Sequence, residues 1–279
     1  MSQANISSSG LYRFALARPI LFSILVILVA GLLTELPLDR FFEPWVGYPA
    51  AEFLKVIVTH TLLGFILIIL LVKLGILTEA RFTSPRSWKT LWLVWPLGLM
   101  TLLNLDALFS GTLVIDTSQP ILILLFAGVA LSIGFGEEMM GRGVVLNVML
   151  QKWGDTRRGI YLAVVISSAI FGFGHLFNLV TGRLSLLANL TQIGYSFAFG
   201  MTFAACFLRN NSIWPVIVMH AAIDFAGGLH HIAVGGSGMI AVANNTPAEA
   251  VGSLLISLPL ILYSLFILRK VCPIEIKES

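Results

Sequence analysis

The sequence predicts an all-α, polytopic membrane protein of about eight transmembrane helices, and two observations carry that reading. Of 279 residues, 57% are hydrophobic and only 11% are charged, against roughly 45–50% and about 25% in an ordinary soluble domain; the mean hydropathy is +0.93. The apolar residues also fall into stretches near the roughly 20 residues that a helix needs to cross a bilayer. These figures exclude a soluble globular protein and a disordered chain. Two cysteines, Cys206 and Cys272, cannot staple a disulfide scaffold.

In chain order the predicted spans cover residues 19–37, 53–72, 88–105, 120–150, 159–179, 185–208, 212–232 and 249–268. The first follows Arg13 and Arg18 as a signal peptide would, but it is long and runs into Leu36-Pro37-Leu38-Asp39 without a small-residue cleavage pattern, so it is expected to be retained. The fourth is long enough to tilt or to run past the bilayer, and is the least uniformly apolar. Basic residues in short loops stay cytoplasmic. With eight spans and the N-terminus inside, thirteen Lys and Arg lie on the cytoplasmic side and three, Arg40, Lys55 and Arg183, on the other. Arg142 inside a span accounts for the last of the 17. The asymmetry predicts an N-in, C-in topology. The net charge of +3 therefore reads as a topology signal; a nucleic-acid partner, which requires one gathered basic patch, is not expected.

No repeat or low-complexity tract divides the chain, which reads as one membrane domain over 1–279 in a lipid bilayer. Gly134, Gly136, Gly141, Gly143, Gly172 and Gly174 crowd the fourth and fifth spans, where small residues let backbones approach. The expectation is that these two helices pack against each other.

A charge at the bilayer centre costs about 2.5–3.5 kcal/mol on insertion scales, so each one needs a partner or a purpose. The fourth span carries Glu137, Glu138 and Arg142, the fifth His175, the seventh His220 and Asp224. Glu138 and Arg142, four apart, share a helix face and can pair. Glu137 lies about 100° around the helix, so one arginine does not serve both carboxylates. It is left as the less compensated acid, suited to taking a proton from water and returning it. His220 and Asp224 are again four apart, and His175 follows Phe171 by the same interval, so that an aromatic ring would fix the imidazole. A carboxylate and two imidazoles in an apolar cavity suit hydrolysis: the acid and one histidine activate water, while the other histidine and Asp224 stabilise the oxyanion. Two His and one Glu are also the ligand set of catalytic zinc in some metalloproteases, so Glu137, His175 and His220 are the ligands if a metal is present. No cofactor is required by the sequence, and the two mechanisms stand side by side at this point.

Read together, Glu137-Glu138-x-x-x-Arg142, Phe171-x-x-x-His175 and His220-x-x-x-Asp224 resemble the type II CAAX prenyl endopeptidase family, which includes bacterial members linked to bacteriocin processing, self-immunity and abortive infection. The resemblance covers about residues 120–230. It implies an intramembrane protease acting on a membrane-associated peptide or protein, prenylated or leader-type, in which Glu137 and His175 activate water. His220 and its partner would line the oxyanion site, and Glu138 and Arg142 would hold the architecture. The partner is commonly Asn in the family; this sequence has Asp224, which donates to an oxyanion only when protonated, leaving orientation of His220 or metal binding as its alternative roles. Compact loops and the lack of a retention signal favour a bacterial cytoplasmic membrane.

Blander readings apply elsewhere. His60 is expected at a helix contact, His230 and His231 at the interface, Cys206 in packing and Cys272 on the reducing side. Asn178, Asn189, Gln192 and Tyr195 read as interhelical glue. Residues 276–279, Ile-Lys-Glu-Ser, form no CAAX box. The rival functions are a proton-coupled transporter, whose relays use the same residue types, and a non-catalytic immunity protein.

Overall fold

The computed structural model describes residues 10–85, 87–236 and 244–273; the terminal residues 276–279 lie outside that set. Nearly all described residues are helical, and the extended pairing consists of one antiparallel bridge between Ile115 and Ala233. The N-terminal part comprises α1 (Gly10–Ala17), α2 (Pro19–Thr34), the short α3 (Asp39–Val46) and α4 (Ala50–Leu74). Pro19 sits in the first turn of α2, where its missing N–H costs nothing. Gly75, at φ +72°, ends α4 by returning its N–H to the last turn.

The predicted third span is not one helix. Ser87 caps Trp88–Leu91, a 3-10 turn covers Trp92–Val94, and α5 (Trp95–Leu103) begins with Pro96 in its first turn. Proline cannot supply the N–H that would continue the preceding helix, which accounts for the break. The fourth span is α6 (Pro120–Glu138), which continues without interruption through a π-wound segment, Met139–Leu146, to Asn147–Trp153. All eight residues of the π segment are buried. Its looser winding, which residue spacing does not signal, begins directly after Glu137 and Glu138. Asn147 Nδ2 lies within bonding distance of the Arg142 and Gly143 carbonyls, both at 3.0 Å, and so serves oxygens of this segment.

The remaining helices are α7 (Arg157–Gly174), extended past His175 by Leu176–Val180, then α8 (Leu186–Asn210), α9 (Trp214–Gly227) and α10 (Pro247–Leu268). Among the described residues five helices are long and apolar enough to cross a membrane: Pro19–Val46, Ala50–Leu74, Pro120–Trp153, Arg157–Val180 and Pro247–Leu268. The chain is thus an integral membrane protein. Of the other three predicted spans, the one at 88–105 is broken, α9 stops at Gly227 after 14 residues, and α8 has the length, at 25 residues, but a more polar sequence. Packed against both α7 and α10, α8 buries Asn189, Thr191, Ser196 and Thr202. A helix enclosed by its neighbours need not be apolar all round.

Side-chain bonds sort the helix ends into two groups. At one end Asn147 and Gln151 reach Glu79, Arg81 reaches the Leu208 carbonyl, Arg157 that of Arg269 and Arg209 that of Ile267. At the other, Arg183 makes a bidentate pair with Glu35, and the segments around Asp116 and Val234 exchange backbone bonds. The first group is the one into which the basic residues crowd.

The glycines serve more partners than expected. A side chain at Gly134 would strike the Ile217 carbonyl of α9, one at Gly136 the His60 carbonyl of α4, and one at Gly172 the Ile193 carbonyl of α8, all under 3.0 Å. Of the six, Gly141 faces α7, at Phe171. The fourth and fifth spans do touch, through the π segment and Asn147–Trp153, but the α-wound part of α6 uses its glycines to admit α4 and α9.

Candidate active site

Three crossings bring the motif residues together. Gly134 seats α9 against α6 and sets His220 opposite Glu137 and Glu138, Gly136 seats α4 with His60, and Gly172 seats α8 against α7 one turn before His175. His220 Nδ1 lies 2.7 Å from Glu138 Oε1, while its Nε2 faces Glu137 Oε2 at 3.7 Å and Asp224 Oδ2 at 3.5 Å. The imidazole thus has a carboxylate on each nitrogen. It also stacks on Phe203, rings 5.0 Å apart and 12° from parallel, and meets the edge of Phe171 at 6.3 Å.

The two adjacent glutamates have different surroundings. Glu138 is sealed, its side chain 0% exposed; its Oε1 accepts from Arg142 at 2.8 Å as well as facing His220, and its Oε2 finds no hydrogen-bond partner among the described residues. Glu137 retains 19% exposure of its side chain, and Asp224 31%. Glu137 and Asp224 therefore keep an open face, and Glu138 does not. Glu137 also interacts electrostatically with His60, His175, Tyr195 and Asp224, so side chains from α4, α7, α8 and α9 surround one carboxylate.

Arg142 binds the surrounding helices together. It pairs with Glu138, donates to the Gly200 carbonyl of α8 at 3.0 Å, and lies between Phe171 and Phe203, 4.8 and 5.0 Å from the ring centroids. A guanidinium held this way is desolvated by rings that attract it. His175 sits at the junction of α7 and Leu176–Val180. Phe171 packs edge-on to it at 5.4 Å, and its carbonyl accepts from Asn189 Nδ2 at 2.7 Å. His175 interacts electrostatically with Glu137 and His220.

All six predicted residues, Glu137, Glu138, Arg142, His175, His220 and Asp224, thus occupy one cluster. Sequence reasoning missed Phe203, Gly200 and the bond from Glu138 to His220, which joins residues 82 apart and has no signal in local spacing. Tyr195 and His60, read as helix contacts, lie beside the carboxylates; His60 Nδ1 also reaches the Val56 carbonyl at 3.0 Å. Asn178 bonds Gln192 and Cys206 is buried, as glue and packing require. His230 lines a cleft of about 280 Å³ with Asn104 and Asp106 at the end of α9, bounded also by Ala226 and Gly227.

A catalytic zinc would need three converging donors. Among the described residues no group of three or more His, Cys, Asp or Glu converges closely enough to hold a metal ion, and no step is derived through one.

The apolar helical assembly thus gathers a partly open glutamate, two histidines and a buried carboxylate–guanidinium brace. Residues 119–226 match the family model of type II CAAX prenyl endopeptidases, Rce1-like, which is a protease family. The resemblance read from the three motifs is therefore shown, over the stretch that contains all of them. No curated protein and no solved structure matches the chain.

Proposed function

We propose that the protein is an intramembrane endopeptidase that hydrolyses a peptide bond of a membrane-associated, prenylated or leader-type substrate, with Glu137 as the general base. The observation that carries this reading is the contrast between the two neighbouring acids: Glu138 is sealed and paired, whereas Glu137 is partly open and 3.7 Å from His220 Nε2. Glu137, assisted by His175, takes a proton from water as its oxygen attacks the scissile carbonyl carbon. In its imidazolium form His220 donates Nδ1–H to Glu138 and directs Nε2–H to the carbonyl oxygen as it becomes an oxyanion. Collapse breaks the C–N bond, and the proton held by Glu137 passes to the leaving amine. Asp224 Oδ2, 3.5 Å from Nε2, steadies the ring in the free enzyme and yields that N–H to the oxyanion as it forms. Arg142 and Glu138 position it from behind.

The proposed topology has eight crossings within one membrane domain, with both termini and the basic helix ends in the cytoplasm of a bacterial cell. The gathering of Lys and Arg at one set of helix ends supports that orientation. The open face of Glu137 is where an extended peptide would approach.

The test is cleavage of membrane-associated peptides in proteoliposomes. Glu137→Gln and His175→Ala are each expected to abolish it, on the order of 100-fold or more for loss of an acid–base group, in folded, inserted protein. Near-normal cleavage by either variant overturns the assignment. Chelation with EDTA should leave cleavage intact; a loss that zinc restores would give Glu137, His175 and His220 a ligand role instead. Protection against a toxin that survives Glu137→Gln would point to immunity by binding.

A further inference from the structure

At the basic end of the molecule, away from the Glu137 cluster, three segments meet around a cleft of about 150 Å³ lined by Lys89, Arg209 and Lys270 together with Trp92 and Phe266. The cations come from the turn before α5, the last turn of α8 and the end of α10, so the tertiary fold, and no local run of charge, assembles them. No acidic residue among the described residues lines the cleft. Arg209 commits one N–H to the Ile267 carbonyl at 3.0 Å, which anchors the guanidinium and leaves its other donors available. Lys89 and Lys270 are exposed, and their ammonium groups make no ion pair among the described residues. Trp92 and Phe266 are 60% and 57% exposed. Trp88, Trp92 and Trp95 share a helical spacing and are all exposed, at 87%, 60% and 53%. Tryptophans so placed mark the headgroup level of a bilayer.

A cleft at that level lined by three cations, with exposed aromatic surface beside it, complements an anionic phosphodiester joined to acyl chains. We infer that this cleft binds the headgroup phosphate of an anionic phospholipid, with the acyl chains lying over Trp92 and Phe266. The cations supply charge and donors to the phosphate oxygens, Arg209 as a fork and the lysines as point charges. A neutral zwitterionic headgroup brings its own ammonium into a cleft that already holds three cations, so it is disfavoured. The bound lipid joins α8 to α10 and to the segment before α5, at the opposite end of α8 from Asn189.

The test uses the full-length protein in neutral detergent, titrated with phosphatidylglycerol, phosphatidylcholine or inorganic phosphate, with retained lipid read by native mass spectrometry. Wild type should retain phosphatidylglycerol selectively. Neutralising each cation should weaken retention about fivefold, so that Lys89→Gln with Lys270→Gln loses roughly 25-fold. Those two side chains make no hydrogen bond or ion pair among the described residues, so the double variant is expected to keep its fold; adding Arg209→Gln should weaken retention further. Phosphatidylcholine should be unaffected by any of them. Equal retention of phosphatidylglycerol by the double variant, equal retention of phosphatidylcholine by wild type, or displacement of lipid by millimolar inorganic phosphate would each overturn the inference.

Discussion

Glu137 and Glu138 are adjacent in sequence and are expected to respond oppositely to the same substitution. Glu138 is wholly buried between Arg142 and His220, and removing one partner of such a pair strands the other's charge at a cost of about 3–5 kcal/mol. Glu138→Gln should therefore lower the thermal midpoint in detergent and reduce cleavage through loss of the His220 orientation. Glu137→Gln should leave the midpoint close to wild type, because this carboxylate keeps an open side and makes no hydrogen bond to the surrounding helices among the described residues, while cleavage is lost. Thermal unfolding of the two variants side by side checks the contrast; equal destabilisation would give Glu137 a structural role. The pairing of Glu138 with Arg142 could be read from a spacing of four and an insertion cost. The roles of Phe203 and Gly200 could not, because a phenylalanine in an apolar helix looks the same whether it faces lipid or an imidazole.

Helix contacts place these side chains, and glycine makes the contacts close enough. Gly136 sits where an added Cβ would lie 2.7 Å from the His60 carbonyl oxygen of α4, a backbone atom that cannot swing aside. Gly136→Ala is expected to destabilise by about 1–3 kcal/mol through overpacking and, by pushing α4 away from α6, to lower cleavage although no catalytic group changes. A combined thermal and activity assay tests this; unchanged stability and activity would show that the crossing has room to adjust. The glycine crowding of the fourth and fifth spans was plain in the sequence, but each partner had to come from the fold. The π winding of Met139–Leu146 was equally hidden, since a spacing of four reads as one helix face whatever the local pitch. Pro96, by contrast, announces the break in the third span through its missing N–H.

The basic helix ends gather on one side, through pairs such as Arg157 with Arg269 and Arg209 with Ile267. If that side is cytoplasmic, single cysteines placed at Lys73, Lys152 and Lys270 in a background without Cys206 and Cys272 should resist a membrane-impermeant thiol reagent in intact cells. A cysteine at Arg183 should be labelled. Labelling of the first set would reverse the orientation. The integral-membrane character, the identity of the charged residues that need a purpose, and the family resemblance were all readable from the chain, because the cost of placing a residue in lipid depends on its type and on the length of its apolar run. Which nitrogen of His220 meets which carboxylate, which glutamate keeps an open side, and which three cations share one cleft depended on segments distant in sequence packing together. Those contacts bring side chains tens of residues apart to within about 3 Å, and the direction each one faces follows from the helix crossings.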